Sequence, residues 1–126
     1  MMKARIYHNP RCSKSRQAID ILTQAGCQIE TIEYLVTPPS IEELDNLLTL
    51  LGLPPQELMR QDEAPYQALG LGDASLSRET LITAMAANPI LIQRPIVVIG
   101  NQAIIARPPE RLATWLTSID ATAGES

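Results

Sequence analysis

The chain has 126 residues, 45% hydrophobic and 19% charged, which suits one packed core and excludes wholesale disorder. Aromatic residues are 3% with no Phe, so the core is aliphatic and a base-stacking platform for single-stranded nucleic acid is excluded. The net charge of −4 disfavours non-specific binding to nucleic acid or anionic membranes.

Ala4–Tyr7 reads as a short strand, and His8-Asn9-Pro10 as a turn. A helix follows from about Cys12 to Ala25, with Ser15, Ala18, Ile19, Leu22 and Ala25 on one face and Gly26 closing it. Gln28–Leu35 reads as a second strand, so the first two strands and their helix form a βαβ unit with a parallel pair. Ser40 and Glu43 match a capping box opening a helix whose stripe is Leu44, Leu47, Leu48 and Leu51, closed by Gly52. Pro54–Arg60 reads as a short helix, Gly70-Leu71-Gly72 as a loop, and Ser77–Ala87 as a further helix ended by Asn88-Pro89. Ile96–Ile99 is a buried strand, Gly100-Asn101 a hairpin turn and Ala103–Ala106 its partner. Pro108, Pro109 and Glu110 start a last helix with Leu112, Trp115, Leu116 and Ile119 on its apolar face.

The order βαβ, helical block, ββα is that of a thioredoxin-like α/β fold with a four-stranded mixed sheet. One domain is expected over residues 1–119, with the helical insertion at about 40–88 and a frayed tail at 120–126. No apolar run approaches the ~18 residues of a membrane span. MMKARIYHNP lacks the apolar stretch of a signal peptide. A cytoplasmic protein with no membrane or nucleic-acid partner is therefore expected. Two cysteines and one histidine supply neither a disulfide framework nor a His-rich metal site, so no metal is expected.

Charge is distributed unevenly. Lys3, Arg5, Arg11, Lys14 and Arg16 lie within the first 16 residues, which contain no acid. Cys12 sits among them at the first turn of a helix, where free N–H groups and the helix dipole favour a thiolate. His8 lies four residues upstream. Cys12-Ser13-Lys14-Ser15 has C-x-x-S spacing, so the Ser15 hydroxyl stands where a resolving thiol would otherwise be. A buried, inert thiol is the alternative for any free cysteine, but cationic neighbours on both sides weigh against it here. Cys27 lies beyond the far end of a helix roughly 20 Å long at about 1.5 Å per residue. A disulfide needs Cα atoms within about 7 Å, so Cys27 is read as structural. A tyrosine-phosphatase loop, C-x5-R, would need arginine at position 18, which is Ala18. Arg60, Arg94 and Arg107 each stand at the end or start of an element. By analogy with thioredoxin-like folds, Pro95, ahead of the third strand, is the candidate cis-proline facing the reactive cysteine.

Taken together, these motifs resemble those of the glutaredoxin-linked arsenate reductase family over nearly the whole chain, from Ile6 to about Leu116. The residues that carry the resemblance are His8-Asn-Pro-Arg-Cys12-Ser-Lys-Ser15-Arg16, Tyr34-Leu35 followed by Pro38-Pro39-Ser40, Leu58-Met-Arg60, Pro65-Tyr66, Asn88-Pro89-Ile90-Leu91-Ile92, Arg94-Pro95-Ile96-Val97-Val98 and Arg107-Pro108. Arg11 and Ser13, which flank Cys12, depart from the small residues that arsenate reductases proper often carry there, and the variant motif resembles that of an arsenate-reductase-like sister branch. The resemblance implies that Cys12 attacks arsenate, or a similar oxyanion, to form a thiolate–arsenic adduct. It implies that Arg60, Arg94 and Arg107 bind the oxyanion, and that His8, Ser15 and Arg16 stabilise the thiolate. No bound cofactor is implied; glutathione serves as co-substrate and glutaredoxin as partner in releasing arsenite. Two other readings remain open: an Spx-like redox regulator binding RNA polymerase, and a monothiol glutathione-dependent oxidoreductase. The C-x-x-S spacing removes the disulfide switch that such regulators use.

Overall fold

The computed structural model describes residues 2–123. The chain folds as two compact units, Met1–Glu33 with Arg94–Ser126, and Tyr34–Gln93.

The first unit is built on a sheet of order β2-β1-β3-β4. Its strands are β1 (Lys3–His8), β2 (Gln28–Glu33), β3 (Ile96–Ile99) and β4 (Gln102–Ile105). β1 pairs parallel with β2 and antiparallel with β3, and β3 pairs antiparallel with β4. This is the mixed sheet of a thioredoxin-like fold. β2 ends at Glu33 rather than at Leu35 because its partner strand ends at His8, opposite Glu33. β3 and β4 are joined by a two-residue loop with positive φ at Gly100 alone (60°), a conformation of the type II′ kind that glycine adopts without Cβ strain.

Strand alternation sends Ala4, Ile6, Val97 and Ile99 to one face, where they meet α1 (Ser13–Gln24) and α5 (Glu110–Ala123). Ala18 and Leu22 of α1 and Leu112, Leu116 and Ile119 of α5 complete that aliphatic core. α1 ends in a Schellman arrangement: Cys27 N donates to Leu22 O (3.1 Å) and Gly26 N to Thr23 O (3.0 Å), with Gly26 at φ 79°. Cys27 packs half-buried against the core. α5 continues past Ile119 to Ala123, so the expected frayed tail is helical over 120–123. The rest of that tail, 124–126, lies outside the described residues.

The second unit is helical. α2 (Ile41–Leu51) is capped by Ser40, whose Oγ accepts from Glu43 N at 3.1 Å, and closed by Gly52 at φ 68°. Pro55–Leu58 forms a 3-10 turn where a short helix to Arg60 is predicted; the chain then extends, and Met59 bridges Ile92. α3 (Ala64–Ala68) is a helix of little more than one turn in a segment the sequence marks only by the later glycines. α4 (Arg78–Ala87) is capped by Ser77, and Pro89–Leu91 adds a second 3-10 turn. Leu44, Leu47, Leu48, Leu58, Leu81, Ile82 and Met85 are buried in this unit.

Leu22 is fully buried. Leu22→Ala should therefore lower stability by about 2–5 kcal/mol, seen as a lower urea midpoint. Exposed Gln17→Ala on the same helix should stay within about 0.5 kcal/mol of wild type.

Candidate active site

Sheet register brings three chain segments to one edge. Tyr7 lies opposite Ile96, and Ile96 opposite Ile105. The exit of β1, the entry to β3 and the exit of β4 therefore share one end of the sheet. Cys12 follows the first of these, Arg94-Pro95 precedes the second, and Arg107-Pro108 follows the third. The Arg94–Pro95 and Arg107–Pro108 peptide bonds are both cis; the sequence pointed only to Pro95. Pro95 O accepts from Ala106 N (2.9 Å), and Arg107 Nη1 donates to Arg94 O (3.4 Å). These bonds tie the two arginine-bearing segments together.

The turn after β1 is held by its own side chains. Asn9 Oδ1 accepts from Arg11 N (3.0 Å), and Asn9 O accepts from Cys12 N (2.9 Å). Cys12 is the N-cap of α1, with extended backbone (φ −94°, ψ 120°). Ser15 is fully buried, and its Oγ accepts from Asn9 N at 3.4 Å. A hydroxyl has one proton to give and lone pairs to accept with. The Asn9 bond uses a lone pair and leaves the Ser15 proton for the Cys12 sulfur.

The Cys12 side chain makes no capping hydrogen bond. As a thiolate it has several stabilising neighbours. Partial burial pushes its pKa up, but the backbone N–H of Ser15, the Arg94 side chain, the Lys14 N–H and the Ser15 hydroxyl outweigh that cost and bring it from 9.0 to about 7. About half of Cys12 is therefore thiolate near neutral pH. Cys27 shows the contrast: burial raises its pKa with no compensating donor, so it stays protonated at neutral pH.

Arg94 is half-buried. Its side chain is among the groups that lower the Cys12 pKa, and its Nε is buried without a hydrogen-bond partner. A buried donor left unpaired is costly unless an acceptor arrives. Beside a nucleophilic sulfur, that open donor suits an anionic substrate oxygen. Among the described residues no group of three or more His, Cys, Asp or Glu side chains is arranged to hold a metal ion, and no helix is long and apolar enough to cross a membrane.

The fold and this site have counterparts among known proteins. The ArsC family matches residues 7–115. The chain belongs to the ArsC family. One relative of this ArsC chain is the "Uncharacterized protein YfgD" of Escherichia coli (strain K12), 50% identical over 87% of this chain and 93% of that protein. Another is the arsenate reductase of Neisseria meningitidis (strain DSM 15465 / Z2491), 40% identical over 92% of this chain and 100% of that one. A solved arsenate reductase from Vibrio cholerae is 48% identical, with a TM-score of 0.85 over 88% of this chain and 95% of its own.

Other expected site residues of this ArsC member lie as follows. His8 is buried at the end of β1 with its Nδ1 unpartnered. Burial, together with Arg16, lowers its pKa against the opposing pull of Glu33, so it is predominantly neutral at neutral pH. Arg107 is half-buried, and Arg60 lies in the helical unit with Glu63 as its partner at 2.6 Å. Sequence reasoning missed Asn9 and Glu63. Asn9 had a signal, since an Asn in the turn three residues before a helix cap favours Asx turns; the spacing of Glu63 from Arg60 carried none.

Alkylation of Cys12 by iodoacetamide in a Cys27→Ala background should rise with pH to half its plateau rate near pH 7. Ser15→Ala should move that midpoint up. An unchanged midpoint would remove the hydroxyl from the site.

Proposed function

We propose that this chain is an arsenate reductase dependent on glutathione and glutaredoxin. The observation that supports the reading is the Arg94 side chain, which lowers the Cys12 pKa and carries a buried Nε without a hydrogen-bond partner. The two relatives named as arsenate reductases, one of them solved, support the choice of substrate.

In this reading an arsenate oxygen accepts from the guanidinium groups of Arg94 and Arg107, whose fixed forks suit tetrahedral oxyanions. The Cys12 thiolate attacks arsenic, an arsenic–sulfur bond forms, and an arsenate hydroxyl takes a proton from solvent as its bond to arsenic breaks and leaves as water. Reduction of arsenic(V) to arsenic(III) takes two electrons, which come from oxidising two thiols to a disulfide. Ser15 occupies the position of a resolving thiol, and Cys27 is a protonated core residue. The remaining reducing equivalents are therefore external: glutathione supplies the next thiol, and glutaredoxin completes the release of arsenite. The lowered Cys12 pKa supplies nucleophile at neutral pH without a general base. Such chemistry belongs in the reducing cytoplasm, where glutathione is kept as the thiol.

Arsenate-dependent NADPH oxidation, coupled through glutathione, glutathione reductase and glutaredoxin, tests this directly. Turnover is expected in wild type, abolished in Cys12→Ser, largely retained in Cys27→Ala, and reduced on the order of a hundredfold in Arg94→Ala. Equal loss in both cysteine variants would overturn the assignment. Arsenate-independent activity on a small glutathione mixed disulfide would point to the monothiol oxidoreductase instead.

A further inference from the structure

The chain passes from β1 into α1 through the turn Asn9-Pro10-Arg11-Cys12, and three hydrogen bonds meet on Asn9. Asn9 O accepts from Cys12 N (2.9 Å), which closes a β-turn with Pro10 at its second position. Asn9 Oδ1 accepts from Arg11 N (3.0 Å), and Asn9 N donates to Ser15 Oγ (3.4 Å). At that length the Ser15 bond is the weakest of the three and cannot hold the turn by itself; the two shorter bonds hold it. Ser15 is fully buried, so its hydroxyl takes its direction from protein partners rather than from bulk water. The backbone N and O of position 9 are common to any residue placed there. What asparagine adds is Oδ1, which ties down Arg11 N and with it the shape of the turn.

We propose that Asn9 is a positioning residue for the Cys12 nucleophile: its side chain fixes the turn by bonding Arg11 N, which keeps Asn9 N on a lone pair of Ser15 Oγ and leaves the Ser15 proton for the sulfur. The Asn9 side chain bonds Arg11 and not the sulfur; it acts through Ser15. This role belongs to the thiolate and is the same whichever oxyanion Cys12 meets. The Ser15 hydroxyl is one of the groups that lower the Cys12 pKa, and Arg94, from the segment ahead of β3, is the charged side chain among them. Asn9 is neutral, so another neutral residue in its place leaves Arg94 and every other charge as they are. A change in Cys12 reactivity then reports the hydroxyl and not a change of charge. If Oδ1 serves the fold alone, its loss lowers stability and leaves the sulfur as it was.

The test is the pH profile of Cys12 alkylation in a Cys27→Ala background for Asn9→Ala, Asn9→Gln, Asn9→Ser, Ser15→Ala and the Asn9→Ala/Ser15→Ala double variant, with urea midpoints measured alongside. One pH unit below the wild-type midpoint near 7, Asn9→Ala should lower the rate about threefold to tenfold, the range of one lost neutral hydrogen bond. The plateau at high pH should stay within about twofold, because a thiol of higher pKa is only modestly more nucleophilic as the thiolate. Asn9→Gln, one methylene too long to close the same turn, should match Asn9→Ala. Asn9→Ser, whose hydroxyl closes such a turn more weakly, should recover part of the loss. Added to Ser15→Ala, Asn9→Ala should change the rate by less than about twofold, since its effect passes through the hydroxyl. A profile unchanged in Asn9→Ala or Asn9→Gln overturns the inference, whatever the urea midpoint does. So does an unchanged profile in Ser15→Ala, or a full Asn9→Ala effect that persists without Ser15. Should Asn9→Ala fail to fold, Asn9→Gln against Asn9→Ser makes the same comparison. The readout is the sulfur itself, so the outcome is separate from whether arsenate is turned over.

Discussion

A thiolate held half-buried at the start of α1 is the constraint around which the first unit is arranged. Burial alone would drive Cys12 toward the neutral thiol, and Cys27, which has only burial acting on it, goes that way. At Cys12 two helix N–H groups, the Ser15 hydroxyl and the Arg94 side chain reverse the sign and leave the pKa at about 7. Each of these needs a different part of the fold. The N–H groups need a helix starting at residue 13, the hydroxyl needs Ser15 buried against the Asn9 turn, and Arg94 needs β3 to start beside the exit of β1. The helix contributes because its first N–H groups have no partner within it.

Strand register meets the last requirement. Tyr7, Ile96 and Ile105 are consecutive cross-strand partners, so segments distant in sequence emerge at one sheet end. The core of Ala4, Ile6, Val97 and Ile99 against α1 and α5 fixes that register, because a one-residue slip would turn the apolar side chains to the wrong face. Packing and chemistry are coupled there: the same alternation that buries Ile6 and Val97 delivers Cys12 and Arg94 to their edge. Arg94 there lowers the Cys12 pKa and keeps a buried Nε without a hydrogen-bond partner.

Much of this was legible in the sequence. The Cys12 helix start, the Ser40 and Ser77 regions, the Gly52 stop and the β3–β4 hairpin have local signals in capping, glycine and alternation, and each has its element in the structure. Boundaries that depend on a partner strand were less legible, as with β2, which stops where β1 stops. α3 carries too short a pattern to read. Cys12 as the nucleophile was argued from charge and position. The pairing of Arg94 with its sulfur could not be, because 82 residues separate them and only cross-strand pairing joins them. Glu63 was invisible for a similar reason: an ion pair in an irregular turn leaves no periodic trace.

The lowered Cys12 pKa depends in part on Arg94. The most direct measurement is a titration of thiolate ultraviolet absorbance in the Cys27→Ala protein, with and without Arg94→Gln. The account predicts a midpoint near 7 that moves toward the ordinary 9.0 of a thiol when the guanidinium is removed. A midpoint that stays near 7 in Arg94→Gln would show that the helix start alone holds the thiolate, and would contradict the shared site for sulfur and oxyanion described here.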